Sequence, residues 1–399
     1  MLKDKKILIG ITGGIAAYKV CEIIRECVRR DAIVKVVMTE HAKEFITPLT
    51  MQTLSRNVVF SDMFSLIKDY DIAHISLAEF ADLAVLVPAT ANVIGKIASG
   101  IADDLLTTVF MATKAPVLIC PAMNVNMYSN PVVQQNMTKL SDLGYLFVDP
   151  GYGELACQTT GKGRLAEIPE IMEAMETALT DKDLCGEHIL ITAGPTQEPF
   201  DPVRFISNHS SGKMGYALAA MAKRRGAQVT LISGPSSLPP PSGAEFIPVL
   251  TALDMRDAVM SNLNKATVVI KAAAVADYRP ITVSPSKIKK GADSLIMELV
   301  RNPDIIAEIG KEKGNRLLVG FAMESENLIE NAREKLEKKN MDMIVANDLT
   351  QEGAGFQTDT NIIKILYRNG RLEELPIMNK KDVANHILDR IRALKAEEH

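Results

Sequence analysis

The sequence lacks the features that mark membrane-spanning, secreted or disulfide-bonded proteins. No apolar run approaches the roughly 18 to 20 residues that a spanning helix needs. The N-terminal segment MLKDKKILIGITGG passes directly into a short strand and a glycine turn, without the long apolar region of a signal peptide. The five cysteines are an odd number without CxxC spacing, which favours reduced thiols over a disulfide framework or a zinc site. We therefore expect a cytosolic protein.

The sequence also lacks a strong charge of one sign and a recognisable metal-binding cluster. The formal net charge is only -4 over 399 residues, so no whole-chain basic field favours nucleic acid as a partner. The six histidines are scattered, and we expect any metal to arrive with a substrate phosphate. With 47% hydrophobic and 24% charged residues the composition is that of a globular protein, long enough for two or three domains.

A strand, a glycine turn and a helix open the first half of the chain. Residues 6–11 form an apolar strand, residues 12–14 read Thr-Gly-Gly, and residues 15–30 have helical periodicity. A glycine turn of this kind brings the backbone amides of a helix N-terminus close to a phosphate. Many α/β domains begin in the same way without binding anything there, so both interpretations stay open at this point.

Three later strands also end in polar loops. Residues 32–38 precede Thr39, which can cap a helix, and residues 81–87 precede Pro-Ala-Thr-Ala-Asn at 88–92. Residues 117–119 precede Cys-Pro-Ala-Met-Asn at 120–124, with a further methionine at position 127, and we expect the strand to end at the proline. A turn with core methionines is the alternative. Polar loops on one rim of a parallel sheet predict a doubly wound α/β domain with a nucleotide-sized site.

Two further segments are candidates for proton transfer. His74 lies among apolar residues, where a histidine is more often structural, but its ordinary pKa near 6.5 suits a proton carrier. Residues 155–167, which we call the flap, are glycine-rich and polar around the thiol of Cys157. The flap can act as a lid that brings a donor to an intermediate, and an ordinary surface loop is equally compatible.

These motifs together resemble the flavin-dependent cysteine decarboxylases, and among them the phosphopantothenoylcysteine decarboxylases. The resemblance is carried by ITGGIAAYK at 11–19, VMTEHAKEFI at 37–46, His74, PATANVIGKIASGIADDLL at 88–106, PAMNVNM at 121–127 and ACQTTGKGRLAE at 156–167. Related flaps usually read ACG and have a methionine after the arginine, whereas this chain has Gln158 and Leu165.

What the resemblance implies is a flavodoxin-like domain with bound FMN. His74 would be the base, Asn124 and Met127 would hold the substrate, and Cys157 would be the acid. The residues implied near the flavin are Gly13, Gly14, Thr39, Thr90, Asn92, Pro121, Ala122 and Met123. Oxidation of the terminal cysteine thiol to a thioaldehyde, by hydride loss to the flavin, would supply the electron sink that decarboxylation needs. The enethiolate left after loss of CO2 would then take back a proton and the hydride.

A second α/β domain of Rossmann type is predicted after a polar connection at 180–183. We place the domains at 1–180 and 186–399. Residues 189–192 restart the pattern of strand and glycine turn, but no GxGxxG follows, which disfavours a dinucleotide cofactor. Asn208, Ser210, Ser211 and Gly212 precede a helix predicted for 216–225, and so many hydroxyls and amides at a helix N-terminus favour a phosphate over simple capping.

The rest of this half resembles phosphopantothenate-cysteine ligase. A lysine cluster begins at Lys287; such clusters are usually solvated, but one lysine on a loop can bind a triphosphate. We also expect strands at 268–274 and 317–322. The resemblance implies that CTP is the co-substrate, with Mg2+ on its phosphates, that Asn208 contacts an acyl-cytidylate and that Lys287 helps to convert it. The residues implied for CTP are Asp277, Lys287, Pro303, Asp304, Ile305, Ile306, Phe321, Lys335 and Lys339.

Together the two resemblances imply consecutive steps of coenzyme A biosynthesis. The ligase half would join 4'-phosphopantothenate to cysteine, and the decarboxylase half would convert the product to 4'-phosphopantetheine. A flavin prenyltransferase or a peptide-cysteine decarboxylase would leave the second half unexplained, and a regulatory subunit would not need His74, Cys157 and Lys287. The lysine cluster speaks against a dinucleotide-dependent reductase. The families further imply decarboxylase trimers and ligase dimers, which close into a homo-oligomeric dodecamer.

Overall fold

The computed structural model of the protein describes residues 2–64, 73–154, 160–289, 295–324, 328–348 and 360–397. The chain divides into two compact units, Met1–Thr180 and Asp181–His399, and each is described by itself. None of the helices in these described ranges has the length and the apolar character that a membrane crossing requires.

The first unit alternates strands and helices. The described strands are β1 (Lys6–Ile11), β2 (Ile33–Met38), β3 (Val59–Phe60), β4 (Leu83–Ala89), β5 (Val117–Pro121), β6 (Leu146–Phe147), β7 (Gly151–Glu154) and β8 (Thr160–Arg164). The described helices are α1 (Val20–Arg29), α2 (Pro48–Ser55), α3 (Ala73–Phe80), α4 (Ala91–Ala98), α5 (Leu105–Ala112), α6 (Val125–Tyr128), α7 (Pro131–Asp142) and α8 (Ile168–Ala178), with 3-10 turns at Ile15–Lys19 and Glu40–Glu44.

A six-stranded parallel sheet in the order β3-β2-β1-β4-β5-β6 forms the centre of this unit. The strand order reverses between β1 and β4, which is where a doubly wound sheet opens its ligand crevice. The predicted doubly wound fold is therefore confirmed. β1 has its predicted bounds, and β5 ends at Pro121 as expected, where the proline pairs with Ala89 as the last residue of the strand. The helix predicted from residue 15 begins as a 3-10 turn and becomes α-helical at Val20.

The buried hydroxyl group of Thr12 joins the ends of β1 and β4. It donates a hydrogen bond to the carbonyl oxygen of Pro88 at 2.6 Å and accepts one from the backbone amide of Thr90 at 3.2 Å. Thr90 in turn caps α4, since its side chain accepts from the amide of Val93. These bonds fix the positions of the loops after β1 and β4, where the strand order of the sheet reverses.

The second unit has the same alternation, with an antiparallel addition. The described strands are β9 (His188–Ala193), β10 (Gln197–Pro199), β11 (Phe205–Ser207), β12 (Gln228–Ser233), β13 (Glu245–Pro248), β14 (Val268–Lys271), β15 (Tyr278–Pro280), β16 (Leu299–Arg301), β17 (Leu317–Glu324), β18 (Met343–Asp348), β19 (Thr360–Tyr367) and β20 (Leu372–Asn379). The described helices are α9 (Lys213–Arg224), α10 (Ala252–Asn262), α11 (Ile305–Lys311), α12 (Leu328–Lys338) and α13 (Lys380–Glu397), with a 3-10 turn at Leu263–Lys265.

The main sheet has the order β13-β12-β9-β14-β17-β18-β19-β20. Its first six strands are parallel, and β19 and β20 extend the edge as an antiparallel pair. The Rossmann-like fold is thus confirmed. The strand predicted to reach Ala274 pairs with β17 only as far as Lys271, opposite Gly320. Beyond that point the chain stays beside the end of β9, where the amide of Ala274 donates to the carbonyl of Gly194. The sheet therefore opens between β14 and β17.

Candidate active sites

A cavity of about 640 Å3 lies at the carboxyl edge of the first sheet. Its walls come from the loops after β1, β4 and β5 and from β8, which crosses above them. The residues that carry its walls are Gly13, Gly14, Ile15, Ala16, Tyr18, Lys19, Thr90, Ala91, Ala122, Met123, Asn124, Met127, Gly163, Arg164 and Leu165. The volume is within the range of pockets that enclose a cofactor, roughly 300 to 1,000 Å3.

The close packing of two turns explains why residue 13 is a glycine. A Cβ atom at this position would lie 2.5 Å from the Cβ of His41, so the glycine turn packs directly against the turn that follows β2. That second turn is held by Thr39, whose side chain accepts a hydrogen bond from the amide of Ala42 at 3.3 Å. Only glycine lets the two turns meet at this distance.

A second close approach places β8 on the turn after β5. The amide of Met123 donates to the carbonyl oxygen of Gly163 at 2.9 Å. Gly163 has a φ of +148°, and a Cβ there would overlap the carbonyl oxygen of Met123. Two residues earlier in β8, a Cβ at Gly161 would lie 2.5 Å from the side chain of Val125. The base of the flap is thus seated on the segment that carries Asn124.

Asn124 and Met127 face the same cavity. The side-chain oxygen of Asn124 accepts a hydrogen bond from the amide of Asn126 at 2.8 Å and caps the short helix α6. This bond fixes the carboxamide plane, so that the group is oriented before a ligand arrives. Met127 is 48% exposed, which leaves its thioether available to an apolar part of a ligand.

Two adjoining cavities lie at the opening between β14 and β17 in the second unit. They have volumes of about 480 and 440 Å3. We call the first the acid cavity and the second the nucleotide cavity, after the ligands that the resemblance in the sequence implies for their residues. The acid cavity is lined by residues 208–215, 271–275 and Asn347, among others, and the nucleotide cavity by residues 301–306, Lys335 and Lys339. Four residues line both cavities: Lys271, Val275, Asp277 and Phe321.

The acid cavity contains the loop that precedes α9. Gly212 is the N-cap residue of this helix and has a φ of +78°, which favours glycine. The side-chain amide of Asn208 donates to the carbonyl oxygen of Val275 at 3.0 Å, and the hydroxyl of Ser210 accepts from the amide of Gly212 at 3.3 Å. The loop is thus tied to the end of β14, with the positive end of the helix facing the cavity.

The nucleotide cavity is formed around the start of α11. Asp304 caps this helix by accepting from the amide of Ala307 at 3.2 Å, and it also binds the ammonium group of Lys339 at 2.9 Å. Burial alone would raise the pKa of Asp304, but the hydrogen bond and charge of Lys339 and the bond from the helix amide lower it. Asn302 joins this turn to the end of β14, since its side chain donates to the carbonyl of Ala276 at 2.9 Å.

Comparison with known proteins identifies both halves. Residues 1–180 match the family described as Flavoprotein, and residues 184–394 match the family described as DNA/pantothenate metabolism flavoprotein C-terminal domain. The chain is 50% identical over 401 residues to the coenzyme A biosynthesis bifunctional protein CoaBC of Bacillus subtilis strain 168, covering 100% of this chain and 99% of that relative. The chain belongs to the CoaBC family.

Other members give the same result. The identity to the CoaBC protein of Escherichia coli strain K12 is 45% over 395 residues, covering 98% of this chain and 97% of that relative. The crystal structure of a CoaBC C-terminal domain is 44% identical, covers 54% of this chain and all of that structure, and superposes with a TM-score of 0.48. The two curated relatives and the two family matches show that the chain is a bifunctional protein of coenzyme A biosynthesis, as the resemblance of both halves implied.

The predicted residues of the first half fall into two groups, those that line the cavity of the first unit and those that do not. Gly13, Gly14, Thr90, Ala122, Met123, Asn124 and Met127 line one cavity. Thr39 and Pro121 are buried, Asn92 is exposed in the first turn of α4, and His74 is half-buried on α3; none of these four lines that cavity. Cys157 and Gln158 lie outside the described residues. Sequence reasoning missed the cations Lys19 and Arg164, which line the cavity next to glycines that it had found.

In the second half of this CoaBC chain, the structure brings most predicted residues together. Asn208 lines the acid cavity, Asp277 and Phe321 line both cavities, and Pro303, Asp304, Ile305, Ile306, Lys335 and Lys339 line the nucleotide cavity. Lys287 is exposed and lines neither. Its neighbour Ile288 is held by a buried carboxylate: the Asp201 side chain accepts from the Ile288 amide at 3.2 Å, and the Arg204 guanidinium donates to the Ile288 carbonyl at 3.0 Å.

The sequence did not predict that Asp201 holds the segment next to Lys287. Its carboxylate accepts two further bonds from the guanidinium group of Arg204, and bonds from the amides of Val203 and Arg204 at 2.8 Å each. The guanidinium group of Arg204 holds the pKa of Asp201 well below its usual range, with the backbone amides adding to the effect against the cost of burial. This cluster fixes the backbone beside Lys287.

Lys271 was also missed. It is half-buried on the wall shared by both cavities, and burial lowers its pKa to about 8, against the favourable charges of Asp304 and Asp277. The signal in the sequence was a single lysine at the end of an otherwise apolar strand, Val-Val-Ile-Lys at 268–271. Across the described ranges, no group of three or more histidine, cysteine or acidic residues could hold a metal ion, so Mg2+ on the nucleotide stays a prediction.

Proposed function

We propose that the second half joins 4'-phosphopantothenate to cysteine with CTP, and that the first half decarboxylates the resulting phosphopantothenoylcysteine with bound FMN. The proposal rests on family membership together with one observation for each half. For the first half it is the cavity at the switch point, and for the second half it is the pair of cavities that share one wall.

The first cavity fits a flavin mononucleotide. Gly13 and Gly14 line it, and the lack of side chains at both positions lets their backbone amides approach a phosphate. Thr39, Thr90, Asn92 and the backbone of Pro121, Ala122 and Met123 are the remaining proposed contacts. A bound flavin would accept a hydride from the carbon that carries the substrate thiol, while the thiol gives up its proton, and the resulting thioaldehyde would make loss of CO2 possible.

The protein groups then hold the substrate and move protons. The oriented carboxamide of Asn124 hydrogen-bonds the substrate carboxylate without placing a full positive charge against its departure. Met127 packs on the pantothenoyl chain. His74 accepts the proton of the thiol, and Cys157 donates the proton that the enethiolate requires. Because His74 does not line the cavity of its own chain, the proposal has a neighbouring subunit of the trimer bring this base to the cavity.

The two cavities of the second half suit two anionic reactants. A carboxylate is a poor acyl donor, because its oxygen is a poor leaving group, and transfer of CMP to it gives a mixed anhydride. The nucleotide cavity offers Lys335 and Lys339 to the triphosphate, with Mg2+ held mainly by the phosphates. Asp277, residues 303–306 and Phe321 contact the nucleotide. Asn208 contacts the acyl-cytidylate, and Lys287 assists attack on it by cysteine.

One experiment tests both halves in the full-length protein. Purified protein should carry a flavin spectrum, and with 4'-phosphopantothenate, cysteine, CTP and Mg2+ it should release pyrophosphate and CO2. A preparation that cannot be reconstituted with FMN and that does not turn over CTP would refute the proposal. Light scattering of the same preparation tests the expected dodecamer of decarboxylase trimers and ligase dimers.

Two variants separate the halves. His74→Asn should abolish CO2 release from phosphopantothenoylcysteine and leave pyrophosphate release from CTP intact. Lys287→Gln should suppress sustained pyrophosphate release and leave decarboxylation intact. Each variant serves as the control for the other, since both are single changes in one full-length chain. Loss of the same activity in both variants would contradict the assignment of the two reactions to separate halves.

A further inference from the structure

We infer that the ammonium group of Lys271 binds the phosphate group at which the substrate carboxylate attacks. This inference rests on the ligase reaction proposed above and adds a positioning residue to it. Lys287 is proposed for the second step, in which cysteine attacks the acyl-cytidylate. Lys271 would act in the first step, in which that intermediate forms.

The position of Lys271 in β14 determines the face of the sheet on which its side chain lies. Val268 and Ile270 pack in the core on one face of the sheet, whereas Val269 packs on the other face with Ile305 and Ile309 of α11. Because side chains alternate along a strand, Lys271 lies on the same face as Val269. It is also the last residue of β14 that pairs with β17, so its side chain emerges where the sheet opens and both cavities begin.

The charges around Lys271 leave room for an anion. Lys339 already pairs with Asp304, at 2.9 Å, although its charge is still felt by Lys271. For Lys271, in contrast, no carboxylate of the described ranges lies within ion-pair distance; Asp304 and Asp277 act on it only from further away. Burial, together with the positive charge of Lys339, lowers the pKa of Lys271 to about 8 against the opposing effect of the two carboxylates. A phosphate bound at this wall would supply the missing partner and would favour the charged ammonium form.

A cation at this place would favour the first step. A carboxylate oxygen of the acid forms a bond to the α-phosphorus of the nucleotide, and the bond from that phosphorus to the bridging oxygen breaks. Pyrophosphate leaves with the electron pair. Two anions must approach each other before this happens, and their repulsion is strong in a partly buried site. A cation on the wall between the acid and the nucleotide lowers that repulsion for both.

The test measures pyrophosphate release by the full-length protein with 4'-phosphopantothenate, CTP and Mg2+, in a single turnover without cysteine. Lys271→Met, which keeps the length of the side chain, should lower kcat/KM for CTP by about 10- to 100-fold, the loss expected for one hydrogen bond to a charged group. Lys271→Arg should retain most of the rate. The matched control is Lys265→Met, an exposed lysine of the same unit, which should leave the rate unchanged.

The pH profile supplies a readout that a purely structural role would not affect. In the unmodified protein kcat/KM for CTP should fall above about pH 8, as the ammonium group of Lys271 loses its proton. Lys271→Arg should move this fall to higher pH, and Lys271→Met should remove it. The absence of cysteine keeps the substrate thiol from contributing to the profile.

Each outcome decides something. If Lys271→Met matches Lys265→Met in rate and pH profile, the inference is wrong. If Lys271→Met folds poorly, the profiles of the unmodified protein and Lys271→Arg still decide, since identical profiles would overturn the inference. If the unmodified protein releases no pyrophosphate from CTP, the proposed ligase function has failed instead.

Discussion

Replacement of Gly163 by alanine should displace the base of the flap from the turn that carries Asn124. The new Cβ would overlap the carbonyl oxygen of Met123, which is backbone and cannot rotate away. Either β8 or the turn must move, and the hydrogen bond from the Met123 amide to the Gly163 carbonyl, now 2.9 Å, would be lost. Both segments line the proposed flavin cavity.

The size of the effect follows from two contributions. Loss of one backbone hydrogen bond costs about 1 kcal/mol. Alanine at a φ of +148° adds a backbone strain of about 1 to 3 kcal/mol. The form in which the base of the flap is seated on the turn should therefore be destabilised by about 2 to 4 kcal/mol. This lowers the ratio of seated to displaced protein by roughly 30- to 700-fold.

The assay is CO2 release from phosphopantothenoylcysteine by FMN-loaded protein. Gly144→Ala is the matched control, because Gly144 also has a positive φ, +92°, but a Cβ there would meet no atom of the described residues within 4 Å. We expect Gly163→Ala to lose most of its CO2 release and Gly144→Ala to lose little. Equal rates in the two variants would refute the reasoning, since backbone strain alone would then account for both.

Two further predictions concern contacts that fix the other loops. Asp201→Asn should weaken the attachment of Ile288 and slow sustained pyrophosphate release. The pKa of Asp201 is lowered in the folded protein. The stabilising effect of its carboxylate is therefore complete above the ordinary carboxyl pKa of about 3.9 and is lost as the pH falls through the folded value. Thermal unfolding between about pH 2 and 5 should therefore show a flatter acid limb for Asp201→Asn, and an unchanged limb would contradict the assignment. Gly13→Ala should lower the affinity for FMN by at least about tenfold, because the turn would have to move away from His41. Flavin fluorescence titration measures this affinity, and an unchanged Kd would show that the close packing is not needed for binding.

The strand ends were predictable because their signals are local. The apolar run 6–11 followed by Thr-Gly-Gly predicted β1 and its turn with the observed bounds, and Thr39 and Thr90 cap the turns that follow their strands. These features depend on the alternation of side chains and on the conformational freedom of glycine over a few residues.

Features that depend on distant segments were not predictable in this way. Asp201 reaches the amide of Ile288 across 87 residues of sequence, and Asn302 reaches Ala276 across 26. No local pattern distinguishes such a carboxylate or amide from an ordinary loop residue. The position of Lys271 likewise depends on the point at which β14 and β17 stop pairing. Because the pairing ends at Lys271, this residue lines two cavities at once.

The wall shared by the two cavities of the second unit has a consequence for inhibitor design. Lys271, Asp277 and Phe321 belong to both cavities, so one compound can extend from one cavity into the other across this wall. Such a compound loses its translational freedom once rather than twice, and its second half binds at a high effective concentration. A linker that replaces the reactive anhydride with a stable isostere, and that spans Lys271, is therefore the natural scaffold for a tight ligand of this protein.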